Sequence, residues 1–271
     1  FYSNIIDGSN GKSGYLMYNQ FTSTFDDELN QMFANFKSNN IDNLILDLRY
    51  NPGGSVNSAL LISSLITGQF NDQIFSTEEW NSEIQNYWLN NNPEYLINRF
   101  LSNANSLNLN RVFIITSKSS ASASELVINC LKPYIDVIQI GTSTYGKYQA
   151  SVTLYDSPDF SLNGVNSSHT YALQPLVLKT LNSQGVTDYY DGLSPDILAN
   201  ESSSNLGVIG DVNEPLLSLA LGLIYPDKYR DNFNVEIDLV SDSNTLDILN
   251  KEMYLFIDNY SKFAESYERK K

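Results

Sequence analysis

Ile41-Asp42-Asn43-Leu44-Ile45-Leu46-Asp47-Leu48 runs directly into Arg49-Tyr50-Asn51-Pro52-Gly53-Gly54, and the character of this junction decides the fold class. The first eight residues form a short, nearly continuous apolar run, the pattern of a strand buried on both faces. The next six are rich in chain breakers and carry the strand into a turn with two adjacent glycines. Such a glycine pair lets the backbone approach a ligand closely and present N–H groups to it. The competing reading is a tight strand-to-helix turn in which Asp47 and Arg49 pair for stability. From residue 55 to residue 66 the apolar side chains recur at helical spacing.

Working outward, Arg111–Thr116 reads as a second buried strand, residues 122–131 as a helix and residues 137–140 as a third strand. Strand and helix thus alternate from about residue 41 to residue 141, which predicts an α/β layered core. Upstream, residues 14–21 read as a strand. Leu29, Met32, Phe33 and Phe36 give residues 26–36 a helical spacing, with Asp26 as N-cap. Residues 77–107 are Asn-rich and aromatic, and are predicted to be a helical insertion. After Lys147 the pattern changes to strands and loops, with strands over 151–155 and 171–178 and mostly loop from 182 to 205. Leu246, Leu249, Met253, Phe256, Tyr260, Phe263 and Tyr267 step by three and four, which predicts one long amphipathic helix over 245–269 packed on the body. Residues 1–271 therefore read as a single domain.

Composition narrows the chemistry. The chain of 271 residues carries 16 Lys and Arg against 31 Asp and Glu, a formal charge of −15. So acidic a surface repels phosphate backbones and argues against nucleic-acid binding. One cysteine, Cys130, excludes an internal disulfide and a multi-cysteine metal site. One histidine, His169, excludes two-histidine zinc motifs and sits in a polar loop, where a solvated side chain is expected. An enzyme built on this sequence at neutral pH would move its protons with lysine or a carboxylate. No run approaches the roughly 18 apolar residues that span a bilayer. No basic and apolar leader precedes the fold, so Phe1 reads as a cut end.

Two further segments hold residue types that chemistry uses. Ser119-Ser120-Ala121-Ser122-Ala123-Ser124-Glu125 follows a strand and opens a helix. A serine there lies beside free N–H groups able to hold a developing oxyanion. Ser122-x-x-Glu125 equally spells a capping box, so cap and nucleophile both stand as readings. Gly141-Thr142-Ser143-Thr144-Tyr145-Gly146-Lys147 matches the front of a phosphate-binding loop, but Tyr148 stands where Ser or Thr is needed and the following residues alternate like a strand. Together the two segments form a serine at a helix start and a lysine beyond the next strand. A lysine kept neutral by burial can take a serine proton.

DLRYNPGG (47–54), SSASASE (119–125) and GTSTYGK (141–147), in that order, resemble the carboxyl-terminal processing, or tail-specific, serine peptidases. Residues 192–197 are similar to a further family segment, so the resemblance spans about residues 12–200. It implies a crotonase-like ββα superhelix, with Ser122 as nucleophile and Lys147, 25 residues later, as general base. It also implies an oxyanion hole formed by the N–H of Ala123 and of Gly53 or Gly54. An extended peptide would add as a strand near residues 171–178. The implied partner is a protein or peptide substrate, the implied place an exported one, periplasm or cell envelope of a bacterium, and no cofactor or metal is implied. Where the family often has Gly after the lysine and Gln four residues beyond it, this chain has Tyr148 and Ser151, which leaves Ser151 or Gln149 to orient the lysine. No PDZ module is evident. These departures motivate the alternative, a catalytically silent peptide-binding module on the same fold. The sequence carries no signal for an oligomeric state.

Overall fold

The computed structural model describes residues 1–229 and the backbone of Leu255–Phe256. The chain opens with the hairpin Tyr2–Asp7 (β1) and Lys12–Met17 (β2), then Asp26–Ser38 (α1), Asn43–Asp47 (β3), Gly54–Ser55 (β4) and Val56–Ile66 (α2). Next come Ile74–Trp80 (β5), Ser82–Asn91 (α3), Ile97–Arg99 (β6), Arg111–Thr116 (β7), Ala123–Leu131 (α4) and Asp136–Gly141 (β8). Gln149–Ser151 (β9), Leu154–Tyr155 (β10), Ala172–Leu173 (β11), Leu176–Asn182 (β12) and Ile197–Leu198 (β13) follow. Pro215–Ile224 (α5), Pro226–Tyr229 (α6) and Leu255–Phe256 (β14) complete the set.

Two six-stranded sheets organise these elements, in the orders β1-β2-β3-β7-β8-β13 and β4-β14-β9-β12-β5-β6. In the first, β2, β3, β7, β8 and β13 run parallel, with Leu46 opposite Leu16 and Ile114. Period-two alternation sends successive side chains to opposite faces. Tyr15, Ile45, Phe113 and Ile115 pack with Leu217, Ala220 and Leu221 of α5. Leu16, Leu44, Leu46, Val112 and Ile114 face the larger core shared with α1, α2 and α4. Burial on both faces is why β3 and β7 read as unbroken apolar runs.

Local chemistry sets the helix ends. Acidic Asp26, Asp27 and Glu28 occupy the first turn of α1 and Lys37 the last, each favourable to the helix dipole. Asp26 is not the expected N-cap: Phe25 holds that position, and the Asp26 carboxylate accepts the Ser58 hydroxyl at 2.7 Å. Ser55 caps α2, and Glu214, followed by Pro215, caps α5 by accepting the Leu217 N–H at 2.8 Å.

Residues 77–107 differ from the predicted helical insertion. Only Ser82–Asn91 is α-helix, and β5 pairs along its length with β12 as part of the second sheet. Glu78 is buried in that strand because its carboxylate accepts from Trp80 Nε1 and Asn98 Nδ2. The predicted helix over 245–269 lies outside the described residues except at Leu255–Phe256, and that pair is extended strand rather than helix.

Candidate active site

β3, β7 and β8 are adjacent parallel strands, so the turns leaving their C-terminal ends emerge side by side. Those turns are residues 48–54, 117–122 and 142–147, the three segments singled out in the sequence. Sites in open parallel sheets form at this end of the strands. Cross-turn hydrogen bonds stitch the segments together. The Ser120 hydroxyl donates to Leu48 O at 2.7 Å, Ser117 Oγ donates to Arg49 O, and Asn51 O accepts from Ala121 N–H at 3.0 Å and Ser124 Oγ at 2.9 Å. Tyr145 N–H donates to Ser120 O at 2.9 Å.

Ser122 stands at the head of α4 with φ 63° and ψ −111°, a region that L-residues with a Cβ rarely enter. Such a conformation costs on the order of 1–3 kcal/mol and persists only where surrounding bonds impose it. Here they do: Ser122 N–H donates to Glu125 at 2.7 Å, and Ser122 O accepts Leu126 N–H at 2.8 Å. Its Oγ is buried and has no hydrogen-bond partner among the described residues. The serine side chain stands in the capping-box position, facing the backbone of Glu125, but completes no hydrogen bond there, whereas the Glu125 half of the box is a full hydrogen bond.

Glu125 does more than cap. Its Oε1 accepts from Thr144 Oγ1 and Gly146 N–H, both at 2.6 Å, and its Oε2 accepts from Ser122 N–H and Lys147 N–H. Bonds of 2.7 and 2.8 Å to one oxygen hold the backbone nitrogens of Ser122 and Lys147 within 5.5 Å of each other. Gly146 makes this loop possible: at φ +104°, a Cβ there would lie 2.0 Å from Tyr190 O. Lys147 is half-buried, and burial lowers its ammonium below the ordinary lysine value while the charge of Glu125 pulls the other way. That is the direction a neutral base requires.

Burial pushes the Glu125 carboxyl up to about 7, against the four hydrogen bonds that favour its charge. A raised native pKa means that this group's contribution to stability is complete below its unfolded value of 4.5 and disappears as pH rises through 7. The size is about 3 kcal/mol. Urea unfolding at pH 5 and pH 8 is expected to show that loss in the wild-type chain and not in Glu125→Gln. Equal pH dependence in the two proteins would refute the assignment.

The oxyanion-hole candidates divide. Ala123 is the first helical residue of α4, so its N–H has no intrahelical acceptor. Gly53 N–H is already committed to Asn51 Oδ1 at 2.9 Å, which leaves Gly54 as the better donor of the pair. Gly54 has φ +139°, and a Cβ there would sit 1.9 Å from Phe21 O, so no other residue fits.

Beneath this turn lies a buried charge cluster. Arg49, fully buried, makes paired hydrogen bonds to Asp47 and to Glu214 and a further one at 3.0 Å to Glu201. Tyr15 donates to Asp47 at 2.7 Å, and Tyr50 donates to Glu201. Burial disfavours the guanidinium charge, but Asp47 and Glu214 more than offset it. Asp47 and Arg49 thus take the stabilising role allowed for them in the sequence, and they tie the turn to the head of α5.

The remaining candidates fall elsewhere. Gln149 and Ser151 lie on β9 and share one face of it, directly after the lysine. Tyr148 is buried against the rings of Tyr189 and Tyr190. A strand, not a helix, follows Lys147, so the phosphate-loop reading fails structurally as well. His169 is half-buried and bonded to Asp156 at 3.1 Å, beside the β10–β11 ribbon. Cys130 is fully buried, and burial pushes its thiol up. Residues 171–178 do not offer the expected free edge: Ala172–Leu173 pairs with β10, and β12 is paired on both sides, by β9 and β5. Thr144 and Asn51 escaped the sequence reading, because their roles depend on loops brought together only by the sheet.

Comparison with known proteins identifies the family. A family model described as Peptidase family S41 matches residues 12–197. A Staphylococcus epidermidis protein named as a CtpA-like serine protease is 26% identical over 202 residues, 74% of this chain and 36% of the relative. A carboxyl-terminal-processing protease of Picosynechococcus is 26% identical over 155 residues, 57% of this chain and 34% of the relative. The chain therefore spans about a third of the length of these curated relatives. The crystal structure of a Bacteroides fragilis protein assigned to the S41 proteases superposes with a TM-score of 0.70 at 28% identity, covering 82% of this chain and 57% of that one.

Proposed function

Since the chain belongs to peptidase family S41, we propose that it is a serine endopeptidase acting through a Ser122–Lys147 dyad on a crotonase-like scaffold. The observation that carries this reading is the Glu125 clasp, which holds the Lys147 backbone beside a strained serine whose hydroxyl is buried without a partner. Neutral Lys147 Nζ takes the proton of Ser122 Oγ as the oxygen attacks a peptide carbonyl. The N–H groups of Ala123 and Gly54 receive the oxyanion. The lysine then gives its proton to the leaving amine, and an ester on Ser122 remains. Water, deprotonated by the same lysine, hydrolyses that ester, releases a carboxylate and restores the serine. Gln149 and Ser151 are the side chains proposed to orient Lys147.

The names of the relatives support cleavage near the C-termini of protein or peptide substrates, and the family resemblance supports action outside the cytoplasm, in a bacterial periplasm or cell envelope. No helix among the described residues is long and apolar enough to cross a membrane. Buried Tyr148, in the place where the family often has Gly, favours the second reading, a silent peptide-binding module. Incubation with an unfolded protein separates the two. The wild-type chain is expected to produce fragments at least about 10³-fold faster than Ser122→Ala, which should fold as stably as wild type because the lost hydroxyl makes no hydrogen bond. Equal cleavage by the variant would remove Ser122 from the reaction, and no cleavage by either would favour the binding module.

A further inference from the structure

Strand β14 lies between β4 and β9, parallel to both. Leu255 stands opposite Gly54, and Phe256 stands opposite Ser55 on one side and Ser151 on the other. The two walls are the strand that begins with the oxyanion candidate Gly54 and the strand that begins two residues after Lys147. Each wall has its other edge taken: Phe21 bridges Gly54 and accepts Ser55 N–H at 2.9 Å, and β9 pairs with β12. Without β14, the walls would face each other across a gap one strand wide, roughly 10 Å from wall to wall. Backbone groups on both sides of such a gap bind an extended chain largely irrespective of its sequence.

We infer that this slot is the peptide-binding cleft, and that the chain's own segment at Leu255–Phe256 occupies it as a tethered competitor of substrate. The inference takes from the peptidase reading only that a peptide binds beside Ser122. Tethering gives the internal segment an effective concentration on the order of millimolar. A free peptide that binds the empty slot in the micromolar range is therefore largely displaced.

The test is a binding measurement that does not depend on catalysis. A fluorescent peptide copying residues 250–261 is titrated into Ser122→Ala chain and into the same chain carrying L255P and F256P. Proline removes the backbone N–H groups that strand pairing uses. The proline variant is expected to bind the peptide at least about ten-fold tighter, because its slot is vacated. Equal affinity would overturn the occupancy, and no binding to either protein would overturn the cleft. Because both proteins lack the serine hydroxyl, a chain without peptidase activity leaves these outcomes readable. The unaltered full chain provides a measurement that needs no variant to fold. The amides of Leu255 and Phe256 are expected to exchange with deuterium at least about ten-fold slower than in the free peptide, and exchange at the free-peptide rate would equally overturn the occupancy.

Discussion

Arg49→Met is expected to lower the stability of the fold by roughly 3–5 kcal/mol, the usual cost of removing one partner from a buried ion cluster. Asp47 and Glu214 are buried and both fork onto this guanidinium, with Glu201 beside them. No water replaces the lost charge, and the carboxylates then repel one another. Because Glu214 also caps α5, the damage extends to the helix that closes the second core. Arg49→Lys is expected to recover only part of the loss, since an ammonium cannot fork onto two carboxylates. The exposed pair Arg99–Glu94 is the control, worth no more than about 1 kcal/mol. Urea unfolding measures all of these; a loss of under about 1 kcal/mol in Arg49→Met would show that the cluster does not hold the fold.

Lys147→Ala is expected to lower kcat by about 10²- to 10⁴-fold, the range for a lost general base. Lys147→Arg distinguishes the roles a lysine can play. It keeps charge and length but cannot become a neutral base, so it should be as inactive as the alanine variant. Rescue by arginine would mean that Lys147 contributes only its charge. In the wild-type chain burial lowers the lysine pKa, so the neutral, reactive form is lost as pH falls through that lowered value. The rate should therefore rise with pH to a midpoint below the ordinary lysine value of about 10.4.

Legibility in the sequence followed the range of the interactions. β3 and β7 were readable because burial on both faces leaves an unbroken apolar run. The α1 helix was readable because Leu29, Phe33 and Phe36 fall on one face. β5 was not, since Glu78 and Ser76 are polar and their burial depends on Asn98, some twenty residues away. At the site, Ser122, Lys147 and the glycine pair stood out by local pattern. Glu125 read as a helix cap because its bonds to Thr144, Gly146 and Lys147 cross between loops. The role of Glu214 was hidden for the same reason, since it meets Arg49 from 165 positions away. The choice of Gly54 over Gly53 needed one hydrogen bond, from Gly53 N–H to Asn51, that no spacing encodes.

The central claim is that Ser122 is a nucleophile activated by Lys147. Treatment of the folded chain with excess fluorophosphonate, followed by peptide mapping, tests it most directly. The expected result is a single phosphonyl adduct on Ser122, formed faster as pH rises and absent from Lys147→Ala. An unmodified Ser122, an adduct on a different serine, or equal labelling in the lysine variant would contradict the dyad.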